Sequence, residues 1–201
     1  MKVTACKKLA LLVLAVSSFG AASAQVQFGV KAGANISTFT GNDATGVSSQ
    51  VGFVGGVLVN LPLSGMLSLA PELVYSGQGA KASSSGTDFN IHANYINVPI
   101  LLKYTSSVGL YGETGPQIGF LMSAKVKSGG VSQDDKSDYK STDFSWVFGV
   151  GYLTTANIGI DARYNLGLSN IEASNGTNTG TLKNAGFQIG LFYLFGTSGK
   201  K

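Results

Sequence analysis

Charge is scarce in this chain. Of its 201 residues only 12% are Asp, Glu, Lys or Arg. An ordinary solvated domain carries about 25% charged residues, so the shortage argues against a water-covered globular surface. With 44% hydrophobic residues the composition also argues against intrinsic disorder. Cysteine and histidine are nearly missing. Cys6 and His92 are the only examples, so the usual thiolate and imidazole metal sets cannot be assembled. Beyond the N-terminus no run of eighteen uninterrupted apolar residues occurs, which excludes a membrane-crossing α-helix there. Glycine is what the chain has in excess, with 28 residues, about twice the usual share.

The first 24 residues read as a secretory signal peptide, cleaved on export. Lys2, Lys7 and Lys8 form a basic start, Leu9 to Val16 is the apolar stretch, and Ala22-Ser23-Ala24 is an A-x-A cleavage site before Gln25. Three of the basic residues leave with it, so residues 25–201 keep 11 basic and 10 acidic side chains. A net charge of about +1 gives no electrostatic footprint for nucleic acid as a partner. Cys6 also lies in the leader, so the mature chain is expected to have no thiol and no disulfide.

Residues 25–201 form one expected domain in which period 2 recurs segment after segment. Phe144, Trp146, Phe148, Val150 and Tyr152 alternate with Asp143, Ser145, Gly149 and Gly151. Ile158, Ile160, Ala162, Tyr164 and Leu166 alternate with Gly159, Asp161, Arg163, Asn165 and Gly167. The last segment opposes Phe187, Ile189, Leu191, Tyr193 and Phe195 to Gly186, Gln188 and Gly190, although Phe192 and Leu194 break its polar face. Such alternation signals strands, and the earlier segments follow it to give about eight of them, each long enough to cross a bilayer. Four expected loops are long and polar, at residues 40–49, 80–90, 127–142 and 172–183. Three are short, near residues 62–65, 106–107 and 154–156. Long and short connections in strict turn place all long loops at one end of an antiparallel meander, which is the layout of outer-membrane barrels.

Alternation alone does not distinguish a membrane barrel from a soluble one with a greasy interior. Two features favour the membrane. The polar face is crowded with glycine, which suits a cramped interior better than a solvated surface. The bulky face carries aromatics toward both ends: Phe28, Tyr104, Tyr152, Tyr193 and Phe195 near the short turns, and Phe53, Tyr75, Phe144 and Trp146 toward the long loops. Two such rings match interfacial girdles. Open sheet edges are not tolerated in lipid, so the strands should close into an eight-stranded antiparallel up-and-down transmembrane β-barrel.

That parity turns Lys31, Glu72, Lys103, Glu113, Asp161 and Arg163 inward, three cations and three anions, with Lys103 nearer the short turns than the rest. Isolated charges in a dry interior are costly, so they are expected to pair or to hold water. One reading is a salt-bridged plug; the other is a polar conduit or pocket. Eight strands leave an interior just wide enough for side chains, which favours the plug, whereas the glycines leave space.

No enzyme constellation stands out. His92 lies near a loop, and no serine is marked by a nucleophile-type turn. Asp134, Asp135 and Asp138 suggest a cation site, but Lys136 and Lys140 sit among them, as in a solvated charge run. Gly149-Val150-Gly151 is no dinucleotide loop, since no helix follows. Asn35-Ile36-Ser37 and Asn175-Gly176-Thr177 fit the glycosylation pattern without export-route support. No cofactor is expected.

The run from Gly29 to Asn35, YINVPILLKY from Tyr95 to Tyr104, GLYGETGPQIGFLMSAK from Gly109 to Lys125, and DARYNLGLSNI from Asp161 to Ile171 resemble, in this order, the PorT-like outer-membrane β-barrel family. The end of the chain is similar to an outer-membrane assembly signal, carried by Gln188, Gly190, Tyr193 and Phe195, although Gly196 to Lys201 follow it. The resemblance implies a small integral barrel of the cell outer membrane, embedded in its lipid and inserted by the barrel-assembly machinery. The expected function is a non-catalytic anchor displaying four extracellular loops, which could hold an extracellular or envelope protein partner. A narrow pore for water or small solutes is the alternative, and a lipid-modifying enzyme the third reading.

Overall fold

Strand pairing runs without a gap around the molecule. The computed structural model describes residues 26–42, 47–84, 87–128, 131–134, 136, 139–172 and 181–196. The strands are β1 (Gln27–Thr40), β2 (Val47–Ser64), β3 (Leu67–Ser84), β4 (Thr87–Thr105), β5 (Leu110–Ser128), β6 (Val131–Asp134), β7 (Thr142–Leu153), β8 (Ile158–Gly167) and β9 (Lys183–Phe195). Each wall strand pairs antiparallel with its sequence neighbour, and β1 pairs with β9 from Phe28↔Phe195 to Thr40↔Lys183. That last ladder closes an eight-stranded up-and-down barrel. The four-residue β6 is outside the wall; it folds back on the tip of β5. Within the membrane-spanning part of the wall closure leaves no edge strand, so backbone donors and acceptors there are satisfied without water.

The parity read from the sequence holds. Phe148, Val150, Ile160 and Leu191 are 50%, 64%, 48% and 59% exposed on the outer wall, whereas Glu113 and Arg163 are 5% and 4% exposed inside. Both expected aromatic sets also face outward. The apolar surface is thus on the outside, where lipid rather than a protein core covers it.

Three expectations need correction. Residues 80–90, expected as a loop, are strand almost throughout: β3 and β4 stay paired out to Ser84↔Thr87. The polar composition there marks where the wall leaves the apolar band, not where pairing stops. The short connection expected near residues 106–107 runs from Ser106 to Gly109, so Val108 lies in the β4–β5 turn. The inner face is also less uniformly polar than expected, since Val54, Leu58, Tyr95, Leu101, Tyr111 and Val147 point inward. At the upper edge of the band β5 carries one extra residue, Met122, between Asn94↔Ser123 and Tyr95↔Leu121. Such a bulge re-aims the residues beyond it.

Candidate functional site: the layered lumen

The interior is stacked in layers. At the short-turn end Leu58, Tyr111, Phe192 and Leu194 pack together, with Leu153 against them. The rings of Tyr111 and Phe192 meet edge-on, 6.3 Å between centroids. Gly159 makes this possible, because a β-carbon there would run into the Phe192 ring. The two residues that break the polar pattern of β9 are therefore half of an apolar seal.

Above the seal the six inward charges come together. Arg163 donates from Nη1 and Nη2 to both oxygens of Glu72, at 2.7 and 2.6 Å, and from Nε to Glu113 Oε1 at 2.6 Å. Its Nη2 is also 3.5 Å from Asp161 Oδ2. Lys31 Nζ donates to the same Asp161 oxygen. Lys103 Nζ lies 3.4 Å from Glu113 Oε2 and 4.2 Å from the Tyr111 ring centroid, so it joins the charge layer to the seal. In wall order β3 and β8 stand opposite each other, so the forked Arg163–Glu72 pair braces the barrel across its diameter. The groups are paired and charge-balanced, and Arg163 and Lys31 are hydrogen-bonded to carboxylates, while Glu113 Oε2 and Asp161 Oδ1 accept no hydrogen bond from the described residues; pairing and balance are what make buried ions tolerable.

Register explains the meeting. Lys103 is directly opposite Glu113, whereas Glu113 and Arg163 are separated by Gly149 on β7. A β-carbon at Gly149 would stand 2.8 Å from Glu113 Cγ and 3.1 Å from Arg163 Cγ. Likewise one at Gly190 would stand 2.6 Å from Lys31 Cε and 2.9 Å from Asp161 Oδ1. The space these glycines leave is filled by their neighbours' charged side chains, so it does not form a channel at this level.

A polar layer follows. Asn35 Nδ2 donates to Ser76 Oγ at 2.9 Å, Gln117 Nε2 to Ser145 Oγ at 3.0 Å, and Asn184 Nδ2 to Asp143 Oδ2 at 2.8 Å. Ser169 Oγ donates to the other Asp143 oxygen at 2.8 Å. A small cavity lies among Asn35, Ser37, Gln117, Asp143, Ser145 and Asn184. Over it a second apolar group closes the long-loop end: Phe39, Ala80 and Ile171, with Tyr139, Leu182 and Ile91 against them. Ile171 is held in place by backbone bonds from its N–H to Leu182 O and from Lys140 N–H to its own carbonyl, 2.8 and 2.7 Å. Tyr139 and Glu172 form a bridge between two of the long loops. Sequence reading did not single out Asp143, Tyr111 or Ile171 for these roles. The parity of the first two was legible, but the layer each would occupy was not.

A family model described as "Outer membrane protein beta-barrel domain" matches residues 19–173. The chain belongs to this outer-membrane β-barrel family. Its localisation follows at the same level: the cell outer membrane. Among solved structures the barrel is similar to neisserial surface protein A, at 19% identity over 84% of this chain and 97% of that one, with a TM-score of 0.58. It is also similar to Ail, the attachment invasion locus protein of Yersinia pestis, at 19% identity, 85% and 99% coverage and a TM-score of 0.46. OprG from Pseudomonas aeruginosa gives 12% identity, 84% and 95% coverage and a TM-score of 0.47. At these identities only the fold is shared. No curated protein matches the chain.

The remaining candidates of this family member fall outside the lumen or have other surroundings. His92 sits on the β4 extension with Nδ1 2.8 Å from Gln50 Nε2, an amide pairing with no nucleophile in it. Among the aspartates, Asp135, Asp138 and the side chain of Asp134 lie outside the described residues; Lys136 and Lys140 are exposed. Asn35 is buried in the lumen, which removes it as a glycosylation acceptor, and Asn175 lies outside the described residues. So do residues 1–24, expected as a leader, and with them Cys6. Of the residues expected to form an assembly signal, Gln188 and Gly190 point inward, while Tyr193 and Phe195 face outward with their rings 5.2 Å apart.

Proposed function

We propose that this protein is a non-conducting, non-catalytic anchor of the outer membrane, a rigid cylinder whose four extracellular loops are its working surface. The double closure carries the reading. The seal at Leu58, Tyr111, Phe192 and Leu194 and the one at Phe39, Ala80 and Ile171 stand at opposite ends of a lumen braced by Arg163 and Glu72. Loops on a rigid scaffold usually carry binding, so an envelope or extracellular protein partner would dock there. The finer placement near the PorT-like barrels, cleavage after Ala24, and recognition of Gln188, Gly190, Tyr193 and Phe195 by the assembly machinery belong to the same proposal. Purified folded protein in planar bilayers tests it. The expected record shows no unitary current steps, while steps that survive repurification of the heat-modifiable band would replace the anchor by the pore. Lipid modification lost in His92→Ala would replace it by the enzyme.

A further inference from the structure

One buried charge stands outside the ion-pair layer. That layer is balanced, with Lys31, Lys103 and Arg163 against Glu72, Glu113 and Asp161. Asp143, at the long-loop end of β7, is 5% exposed, and no cation of the described residues reaches it within salt-bridge distance. Its partners are neutral: Ser169 Oγ and Asn184 Nδ2 each donate one hydrogen bond, both at 2.8 Å. A carboxylate offers about four lone-pair sites, so half of its accepting capacity is left over. An ionised carboxylate buried with neither a counter-charge nor water is costly.

Its free side faces the cavity of the polar layer, which has room for about one water-sized particle. Eight of the ten lining residues are polar, and Asp143 is the only charged one. Asn184, also lining it, is 5% exposed, and its Oδ1 accepts no hydrogen bond from the described residues. That oxygen shares its amide with the Nδ2 that reaches Asp143, so it stands beside the carboxylate. Ser145, the next inward residue of β7, adds a hydroxyl oxygen. On β1 the buried Asn35 is a further lining residue whose Oδ1 has no partner among the described residues. The cavity wall is thus one carboxylate and several neutral oxygens, two of them buried without a donor.

We propose that this cavity binds one dehydrated monovalent cation of about potassium's size, held by the Asp143 carboxylate, Asn184 Oδ1 and Ser145 Oγ. Charge decides for a cation over a water molecule: water fits the space but leaves the carboxylate uncompensated. The donor set decides the class. All-oxygen ligands suit a hard cation, and neutral oxygens can replace its hydration shell, whereas divalent sites gather more carboxylate charge. Size favours potassium, whose ion is about as large as a water molecule. The cation also steadies the mouth of the barrel. Ser169, bonded to Asp143 and to the Phe144 N–H at 2.8 Å, lies two residues before Ile171 in the long-loop seal. The site is independent of whether the loops hold a partner.

Urea unfolding of the folded protein in short-chain lipid vesicles tests the assignment, with KCl exchanged for N-methyl-D-glucamine chloride at constant ionic strength. The organic cation is too large for the cavity. Once potassium exceeds its dissociation constant, each 10-fold rise should lower the wild-type unfolding constant about 10-fold, as one bound ion requires. Asp143→Asn, which keeps the side-chain shape and loses the charge, should abolish this dependence; heat-modifiable migration confirms that the variant is folded. Wild-type crystals grown with thallium(I) in place of potassium should show an anomalous peak beside Asp143 and Asn184, a measurement that needs no variant. Equal stability of the wild type in the two salts would overturn the proposal, as would a thallium map without that peak. Full potassium dependence in Asp143→Asn would place the ion elsewhere and overturn it too.

Discussion

Replacing Arg163 by Met asks how much the cross-brace stabilises the barrel. The substitution keeps an unbranched side chain but removes three hydrogen bonds of 2.6–2.7 Å to Glu72 and Glu113. It leaves Glu72, Glu113 and Asp161 facing only Lys31 and Lys103, a lumen with one uncompensated negative charge. Breaking a buried pair from one side costs about 3–5 kcal/mol, mostly because the stranded charge stays desolvated. Removing the stranded partner as well should recover much of this. Arg163→Met with Glu72→Leu is therefore expected within about 2 kcal/mol of wild type, since apolar replacement of a whole buried pair is often close to neutral. Urea unfolding in short-chain lipid vesicles reads both values. Trp146, the only tryptophan, reports from the outer wall, where its Nε1 donates to Thr114 Oγ1 at 2.8 Å, away from the altered charges. A single variant within about 1 kcal/mol of wild type would refute the brace, being too small for a broken buried pair. A double variant as unstable as the sum of both singles would refute the charge-balance argument.

Other outcomes follow from the same geometry. Val150→Arg, on the lipid face, should cost about 2–4 kcal/mol in the same assay. Gly149→Arg should block folding outright, because its side chain would start among Glu113 and Arg163, so equal tolerance at the two sites contradicts the parity. Gly159→Ala should cost about 1–3 kcal/mol by overpacking against Phe192. Phe192→Leu in that background should restore part of the loss, and no restoration would mean the clash lies elsewhere. Ile171→Ala should speed proteolysis of the long loops while the trimmed barrel keeps its heat-modifiable migration. Unchanged cleavage would show that Ile171 does not pin them.

Local chemistry made the wall readable. Alternation in Phe144–Tyr152 and Ile158–Leu166 is a property of neighbouring residues, so it identified the strands, the lipid face and the inward set from Lys31 to Arg163. Loop ends were harder to place. Polar residues at 80–90 were expected as loop, yet a ladder in water needs only backbone partners, and β3 and β4 continue to Ser84↔Thr87. The candidate site was legible as a list of charges and not as an arrangement. Lys103 stands near the short turns by sequence position, and only its register opposite Glu113 brings it into the layer.

Side-chain order along the chain therefore determined that this protein is a closed barrel with lipid outside and balanced charges within, because period 2 and the need to satisfy backbone groups in lipid are both local constraints. Tertiary structure alone decided that Arg163 reaches Glu72 across the diameter, that Tyr111 and Phe192 meet beneath Lys103, and that Ile171 folds over the other end. The height of a residue in the lumen depends on strand tilt and stagger, and these exist only once the last strand has paired with the first.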